Sequence, residues 1–437
     1  MIHKWTTNNR HFVLDVNSGA LHEVDSATLS LLGDNAPIAH TPDIDQLISA
    51  GLLYSNLPPN FNIDEFIEQR KNAPIKALCL NIAHDCNLRC TYCFADEGEY
   101  HGKRELMSLS TAQNAIDFLI ARSNNRHNLE VDFFGGEPLM NFEVVKQTVE
   151  YAKLQAQKFN KNFRFTITTN GVLLDDDKIN YINENFDNVV LSLDGRREVN
   201  DKMRPTANKK GSYDLIVPKF LKLISARHGK DYFVRGTFTK NNLDFFEDIK
   251  HISSLGFKNL SLEPVVADSS ADYVISEEDL PKIFDEYDKL ADDYINADYN
   301  FFHMDVDING GPCAIKRLSG CGAGCEYVAI TPNGDCYPCH QFVGKADFLM
   351  GNVNTNSTKI SPRQDFAECN VLAKDECANC WAKFYCSGGC LANSYNFSGD
   401  INGNYDIGCR LQKKRIECAL YIRAARQDSF ASGEKMA

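Results

Sequence analysis

No apolar run in this chain approaches the ~18 residues that a membrane-spanning helix requires, and the opening Met1-Ile2-His3-Lys4-Trp5-Thr6 does not begin a signal peptide. A cytoplasmic protein with no membrane partner is expected. Positive charge is also scarce, since 46 Lys and Arg stand against 59 Asp and Glu, a net charge of −13. Such a chain lacks the electrostatic footprint that phosphate binding demands, which argues against nucleic acid as a partner. The composition is otherwise globular, 43% apolar and 24% charged, and 437 residues exceed one ordinary core, so two or three domains are expected. Cysteine is what the chain has in plenty. Sixteen in a cytoplasmic setting are not a disulfide framework, and their grouping at short spacings points to metal.

The first group is the run CNLRCTYC, which sets Cys86, Cys90 and Cys93 in one short loop. Four cysteine thiolates normally hold a cubane iron-sulfur cluster, so three leave one iron open to a non-protein ligand. The spacing differs from the paired CxxC of a zinc ribbon, although a zinc knuckle or a set of reduced core thiols is the plainer alternative. Tyr92 and Phe94 supply an apolar, aromatic shield. One strand and one helix later comes Gly135-Gly136-Glu137-Pro138. Its two glycines let the backbone come close to a ligand, and Glu137 can accept charge-assisted hydrogen bonds from an ammonium group. Thr168-Thr169-Asn170-Gly171 and Ser192-Leu193-Asp194-Gly195 close the third and fourth strands at equivalent points. Polar residues there are also ordinary turn and cap formers.

Strand candidates from residue 76 onward are 77–82, 129–134, 163–168, 189–193, 232–238 and 260–263, with amphipathic helical stretches such as 111–122 and 142–157 between them. Strands alternating with helices imply an α/β fold with a parallel sheet and right-handed crossovers, whether open or curved into a partial barrel. Ahead of it, residues 11–25 read as two short strands joined by Asn17-Ser18-Gly19, then helices at 26–32 and 44–53, then the break Pro58-Pro59. The result over 1–70 looks like a winged-helix module. Nine acidic against three basic residues in that stretch reject a DNA reader. Residues 266–310 form an acidic, mostly helical bridge, and the cysteine-rich remainder closes with a helix over 409–426 whose Arg423 and Arg426 suit its carboxyl end.

CxxxCxxC with an aromatic before the last cysteine, followed by GGEP, resembles the radical S-adenosylmethionine (SAM) enzymes. The resemblance implies a partial (β/α)6 barrel over 76–265 and SAM bound to the open iron through its amino and carboxylate groups. Gly135, Gly136 and Glu137 would lie at the amino group, Asn170 and Ser192 at the ribose or methionyl part, and Arg204 at the carboxylate. The second cysteine field, Cys377-x2-Cys380-x5-Cys386-x3-Cys390 and then Cys409, with Cys321, Cys325 and Cys339 upstream, resembles the SPASM extension, here over 311–426. That extension holds two auxiliary 4Fe-4S clusters, which with the first makes three. Cys377, Cys380, Cys386 and Cys409 would hold the outer cluster, and Cys321, Cys325, Cys339 and Cys390 the inner one. Cys325 is the least fixed of these, because Cys313 competes for its place and some peptide maturases leave that iron free for a substrate thiolate. A lone set with this spacing could also bind zinc. Cys79 and Cys418 read as small buried apolar residues, and Cys336 and Cys369 take no role.

The runs FVLDVNSGA, GDCYPCHQFVG, CWAKFYCSGGC and DIGCRLQKKRIECA extend the resemblance to maturases that install thioether links in cysteine-rich ribosomal peptides, those of the SCIFF type above all (ranthipeptide and sactipeptide maturases). What this implies is an oxidoreductase-type enzyme in which a 5′-deoxyadenosyl radical takes a hydrogen atom from a substrate carbon and a cysteine thiolate closes the carbon-sulfur bond. Its partners would be a precursor peptide, whose leader adds a strand to the amino-terminal module, and a reductant such as flavodoxin or ferredoxin. A carbon-carbon cross-linking maturase would keep that module, whereas an anaerobic sulfatase maturase forming formylglycine would not need it. A non-enzymatic iron-sulfur electron carrier would explain neither GGEP nor the three-cysteine set. No residue announces itself as a general base.

Overall fold

A computed structural model describes residues 1–56, 62–304, 317–355 and 364–431. Pro58-Pro59 and Cys313 lie outside the described residues. The chain divides into two compact bodies, one of residues 1–67, 277–320 and 368–437, the other of residues 68–276 and 321–367.

The first body opens with an antiparallel sheet of β1 (Ile2–Thr7), β2 (Arg10–Asp15) and β3 (Leu21–Val24) in that order. Asn8 and Asn9, at φ 51° and 60°, make the tight turn between β1 and β2, a conformation that asparagine tolerates. The turn into β3 is built on Asp15, whose Oδ1 accepts the Ser18 N–H and hydroxyl, each at 2.8 Å. Helices Ser26–Ser30 and Pro42–Ser49 follow, capped by the Asp25 and Thr41 side chains. Ile2, Val13, Leu32, Ile44 and Leu53 form a core beneath them. A second core joins Val16 to Leu318, Val371 and Phe384, with Phe66, Cys377 and Trp381 packed against it. The amino-terminal residues and the late cysteine loops therefore share one interior. The expected bridge contains helix Leu280–Tyr294, and the closing helix runs over Asp406–Ala431, longer than 409–426 at both ends. Arg415 Nε donates to the Tyr287 hydroxyl at 2.8 Å where the two helices meet.

The second body is built on parallel strands. β4 (Ala77–His84) is buried at all eight positions, as a strand covered on both faces should be. β5 (Glu105–Leu106) pairs with its end, and β6 (Asn128–Gly135), β7 (Asn162–Thr169), β8 (Asn188–Ser192), β9 (Asp231–Phe238) and β10 (Asn259–Pro264) continue from it. β4 and β6 to β10 lie side by side in chain order, every neighbouring pair parallel. These are the six strands expected, five of them extended by a residue or two and β8 shifted by one, ending at Ser192. On β6, Leu129, Val131 and Phe133 are fully buried while Glu130, Asp132 and Phe134 alternate onto the other face. Strand Tyr327–Ile330 was not anticipated. It adds to the sheet parallel to β4, with Ala329 opposite Cys79, and is followed by antiparallel Asp335–Tyr337 and then Gly351–Asn352. The strand that leads to the first cysteine loop is thus interior to the sheet. Six parallel strands place their carboxyl ends along one edge, where ligands of such sheets collect. Among the described residues no helix is long and apolar enough to cross a membrane.

Candidate cofactor site

The loop after β4 carries Cys86, Cys90 and Cys93, all half-buried. Burial pushes the Cys86 thiol up to about 12, with Glu137 adding to it, and the Cys90 thiol up to about 11 against the pull of Arg204. Cys86 feels the charge of Cys90 and Cys93, and Cys90 that of Cys93. Cys86 and Cys90, this reluctant to ionise, need a cation to become thiolates together, which a metal centre supplies.

The loop is stitched to GGEP. Gly136 N–H donates to Ala83 O at 2.8 Å and Glu137 N–H to Asp85 O at 2.9 Å. A Cβ on Gly136 would stand 2.1 Å from Asp85 O, and one on Gly135, at φ 122°, 2.4 Å from Ala83 O. Only glycine allows this approach. Glu137 is 1% exposed, and its carboxylate accepts from the Leu139 N–H at 3.0 Å, the Thr169 hydroxyl at 2.8 Å and the Asn170 N–H at 2.8 Å. Those bonds tie the ends of β6 and β7 and leave one lone-pair position on Oε2 for a ligand. Burial nonetheless raises the group to about 7. Asn170 donates from Nδ2 to Asn87 Oδ1 at 2.8 Å and lies 3.6 Å from Cys86 Sγ. Ser192 closes β8, half-buried. Arg204 is 8% exposed, and its Nη1 donates to the Tyr92 hydroxyl at 2.8 Å.

Two buried donors here have no acceptor, Asn87 Nδ2 and Arg204 Nε. Buried N–H groups left empty cost about 1–3 kcal/mol each, so the pair marks room for an acceptor-rich ligand beside the thiols. Three thiols, the glycine cradle and these two donors fit an iron-sulfur cluster with SAM on it.

In the first body, Cys377, Cys380, Cys386 and Cys409 are brought together. Burial lifts the Cys386 thiol to about 12, with Cys409, Cys377 and Cys380 adding to it, and Cys409 to about 11. Ser387, Gly388 and Gly389 all take left-handed backbone, at φ 58°, 84° and 72°, which turns the chain sharply after Cys386. The Lys374 ammonium, 1% exposed, is held by Gly388 O, Gly403 O and the Ser394 hydroxyl. Of the residues implied for an inner cluster, Cys321, Cys325 and Cys339 belong to the second body and Cys390 to the first. Cys325 is fully buried, and Arg70 Nη2 reaches its sulfur at 3.7 Å. Cys79 and Cys418 are buried, as expected of small apolar residues. Among the described residues no group of three His, Cys, Asp or Glu side chains is drawn tightly enough around one point for a single metal ion. Cubane ligands each take a different iron and stand further apart.

Comparison with known proteins agrees with this geometry. Residues 80–227 match the radical SAM superfamily and residues 321–381 the SPASM iron-sulfur cluster-binding domain. A protein of Methanocaldococcus jannaschii is 31% identical over 68% of this chain and 94% of its own length. This chain belongs to the radical SAM superfamily. The radical SAM protein described here is also 28% identical to the cysteine-type anaerobic sulfatase-maturating enzyme of Clostridium novyi, over 76% of this chain and 92% of that one. It is 28% identical to the mycofactocin maturase MftC of Mycolicibacterium smegmatis, over 83% and 91%. Its fold is that of anSMEcpe solved with bound AdoMet and a peptide, at TM-score 0.68 and 21% identity over 81% of this chain and 99% of that one.

Several residues of this radical SAM site escaped sequence reasoning. Tyr92, expected as an apolar shield, has its hydroxyl hydrogen-bonded, and Phe94 is 48% exposed. Gly98, at φ 94°, brings its Cα so near that a Cβ there would stand 2.9 Å from Gly136 Cα and 3.0 Å from Cys86 Cβ. His340 lies against Phe134 and Phe94, with ring centroids at 5.0 and 5.6 Å, and burial lowers it to about 4, which keeps it neutral. The only hint in sequence for Gly98 was a glycine among charged residues.

Proposed function

We propose that this protein is a SPASM-type maturase that forms thioether links, cysteine sulfur to carbon, in a cysteine-rich precursor peptide. The observation that carries it is the three-thiol loop locked to a glycine cradle beside two empty buried donors, in a chain that resembles the SCIFF-type enzymes over nearly its whole length. Cys86, Cys90 and Cys93 would hold an iron-sulfur cluster with SAM, which would supply one-electron chemistry, and the later cysteines would hold two auxiliary clusters able to serve as an electron acceptor. The chain's own residues orient the cofactor. Glu137 offers its remaining lone pair to the SAM amino group, Asn170 and Ser192 flank the ribose or methionyl part, and Arg204 offers Nε to the carboxylate. The sheet β1–β3, as a winged-helix-like module, takes the peptide's leader as an added strand, and a flavodoxin or ferredoxin serves as reductant.

A second reading has support of its own. The similarity to the Clostridium novyi sulfatase-maturating enzyme favours conversion of a cysteine to formylglycine. Mass spectrometry after anaerobic reaction of reduced protein with SAM separates the two. A thioether product keeps its sulfur and is lighter by two hydrogens per link, whereas a formylglycine product has lost sulfur and gained oxygen. Sulfur loss from a cysteine-rich precursor would overturn the thioether reading.

A further inference from the structure

Tyr92 lies inside the cluster loop, between Cys90 and Cys93, and its hydroxyl joins two buried groups, Asp194 and Arg204. It donates to Asp194, at 2.6 Å from Oδ2 and 2.8 Å from Oδ1, and accepts from Arg204 Nη1 at 2.8 Å. Asp194 is fully buried at the end of β8, 3.7 Å from Arg204 Nη1, and also accepts from the Thr237 N–H at 3.0 Å. The backbone repeats this link. Arg89 N–H donates to Pro205 O at 2.8 Å and Thr91 N–H to Met203 O at 2.9 Å, on either side of Arg204. The guanidinium is thus held at Nη1 by the Tyr92 hydroxyl and Asp194, on a backbone tied to the cluster loop, yet its Nε, buried, has no acceptor. A buried guanidinium whose Nη1 is engaged and whose Nε is left without an acceptor is arranged for an anionic acceptor that is not protein.

We propose that Tyr92 and Asp194 are positioning residues that aim Arg204 at the carboxylate of SAM, coupling the cluster loop to the anchor of the cofactor's far end. The inference rests on the SAM-binding reading above and assigns its geometry. Asp194 compensates the buried cation, and the Tyr92 hydroxyl sets the angle of the fork. No proton or electron passes along the chain. Removing the hydroxyl frees the guanidinium to rotate toward Asp194 directly and withdraws Nε from the carboxylate.

The test uses the full-length protein after anaerobic cluster reconstitution, as wild type, Tyr92→Phe and Asp194→Asn. Three quantities are measured: iron per chain, the electron paramagnetic resonance spectrum of the reduced protein before and after SAM, and dissociation constants for SAM and for decarboxylated SAM. Tyr92→Phe keeps the ring, and the expected result is wild-type iron and an unchanged SAM-free spectrum, with SAM binding weakened about ten- to hundredfold, the worth of a charge-assisted hydrogen bond. Decarboxylated SAM, already weak, loses no further affinity. Equal weakening toward both compounds, or none toward SAM, overturns the proposal. Iron loss in Tyr92→Phe overturns it as well, since the hydroxyl would then be a strut of the cluster loop. Wild-type protein that loads iron but binds no SAM overturns the SAM-binding reading itself, an outcome distinct from the others. Asp194→Asn, if it folds with full iron, repeats the pattern and checks the coupling independently.

Discussion

Gly136 shows how little freedom single atoms have at this site. A Cβ there meets a backbone oxygen, not a flexible side chain, at 2.1 Å, so Gly136→Ala must displace Asp85 and with it Cys86. The expected outcome is a chain that folds but retains about four fewer irons than wild type after desalting, the content of one cubane. Retention of all of it would mean that the cluster loop tolerates the shift. Glu137 makes a different statement, about pH. Its carboxyl titrates near 4.5 when unfolded and near 7 when buried. Below 4.5 both states hold the proton. Between 4.5 and 7 only the folded state does, so stability falls as pH rises through that window and levels off above it, a span on the order of a few kcal/mol. The thermal midpoint of iron-free protein should therefore drop from pH 5 to pH 7.5, and less so in Glu137→Gln. An identical slope in the variant would show that another group titrates. The glycines and the glutamate were legible in sequence because they follow a strand at a fixed place. Tyr92 was misread as apolar because its partners, Asp194 and Arg204, lie more than 100 residues away, and local pattern carries no trace of that pairing.

At the scale of elements, the six parallel strands could be read because burial on both faces makes them apolar runs, as ALCLNIAH shows. β1 could not, since IHKWTT has neither clean alternation nor an apolar run, and its polar residues are used individually. His3 stacks on Trp381 with centroids 3.7 Å apart and planes within 3°, and bonds Glu417 at 2.8 Å. Strand Tyr327–Ile330 hid for the opposite reason, sitting in a loop-like field of glycine and cysteine. These placements change what a truncation measures. Residues 1–67 look separable in sequence, but Val16 and Phe66 pack with Phe384, Cys377 and Trp381 in one core. Deleting 1–67 strips that core, against which Cys377 packs. We expect the truncated protein to lose about four irons and to show raised proteolytic sensitivity over 368–409. The proposed leader recognition is therefore better probed by charge changes on the exposed Glu23 of β3 than by truncation.

The molecule as a whole keeps its two self-contained thiol sets in different bodies. Cys86, Cys90 and Cys93 fold with β4, GGEP and Arg204, while Cys377, Cys380, Cys386 and Cys409 fold with the amino-terminal sheet and the closing helix. Each set is gathered by its own body's core, so loss of one should not empty the other. The variant carrying Cys86→Ala, Cys90→Ala and Cys93→Ala should fall from about twelve irons to about eight, each cubane holding four. It should cleave no SAM. Conversely, Cys377→Ala with Cys409→Ala removes two of the proposed ligands beside a loop with three consecutive left-handed residues, Ser387 to Gly389, a conformation with little stability of its own. That variant should lose the amino-terminal sheet's protection from hydrogen exchange, because β1 reaches this region through Trp381, while β4, β6 and β7 remain protected. Protection lost in β4 as well would show that the cysteine field props the whole chain and that the two bodies are not independent in stability. Protection kept in β1 would show that aromatic packing alone, without metal, holds the first body together.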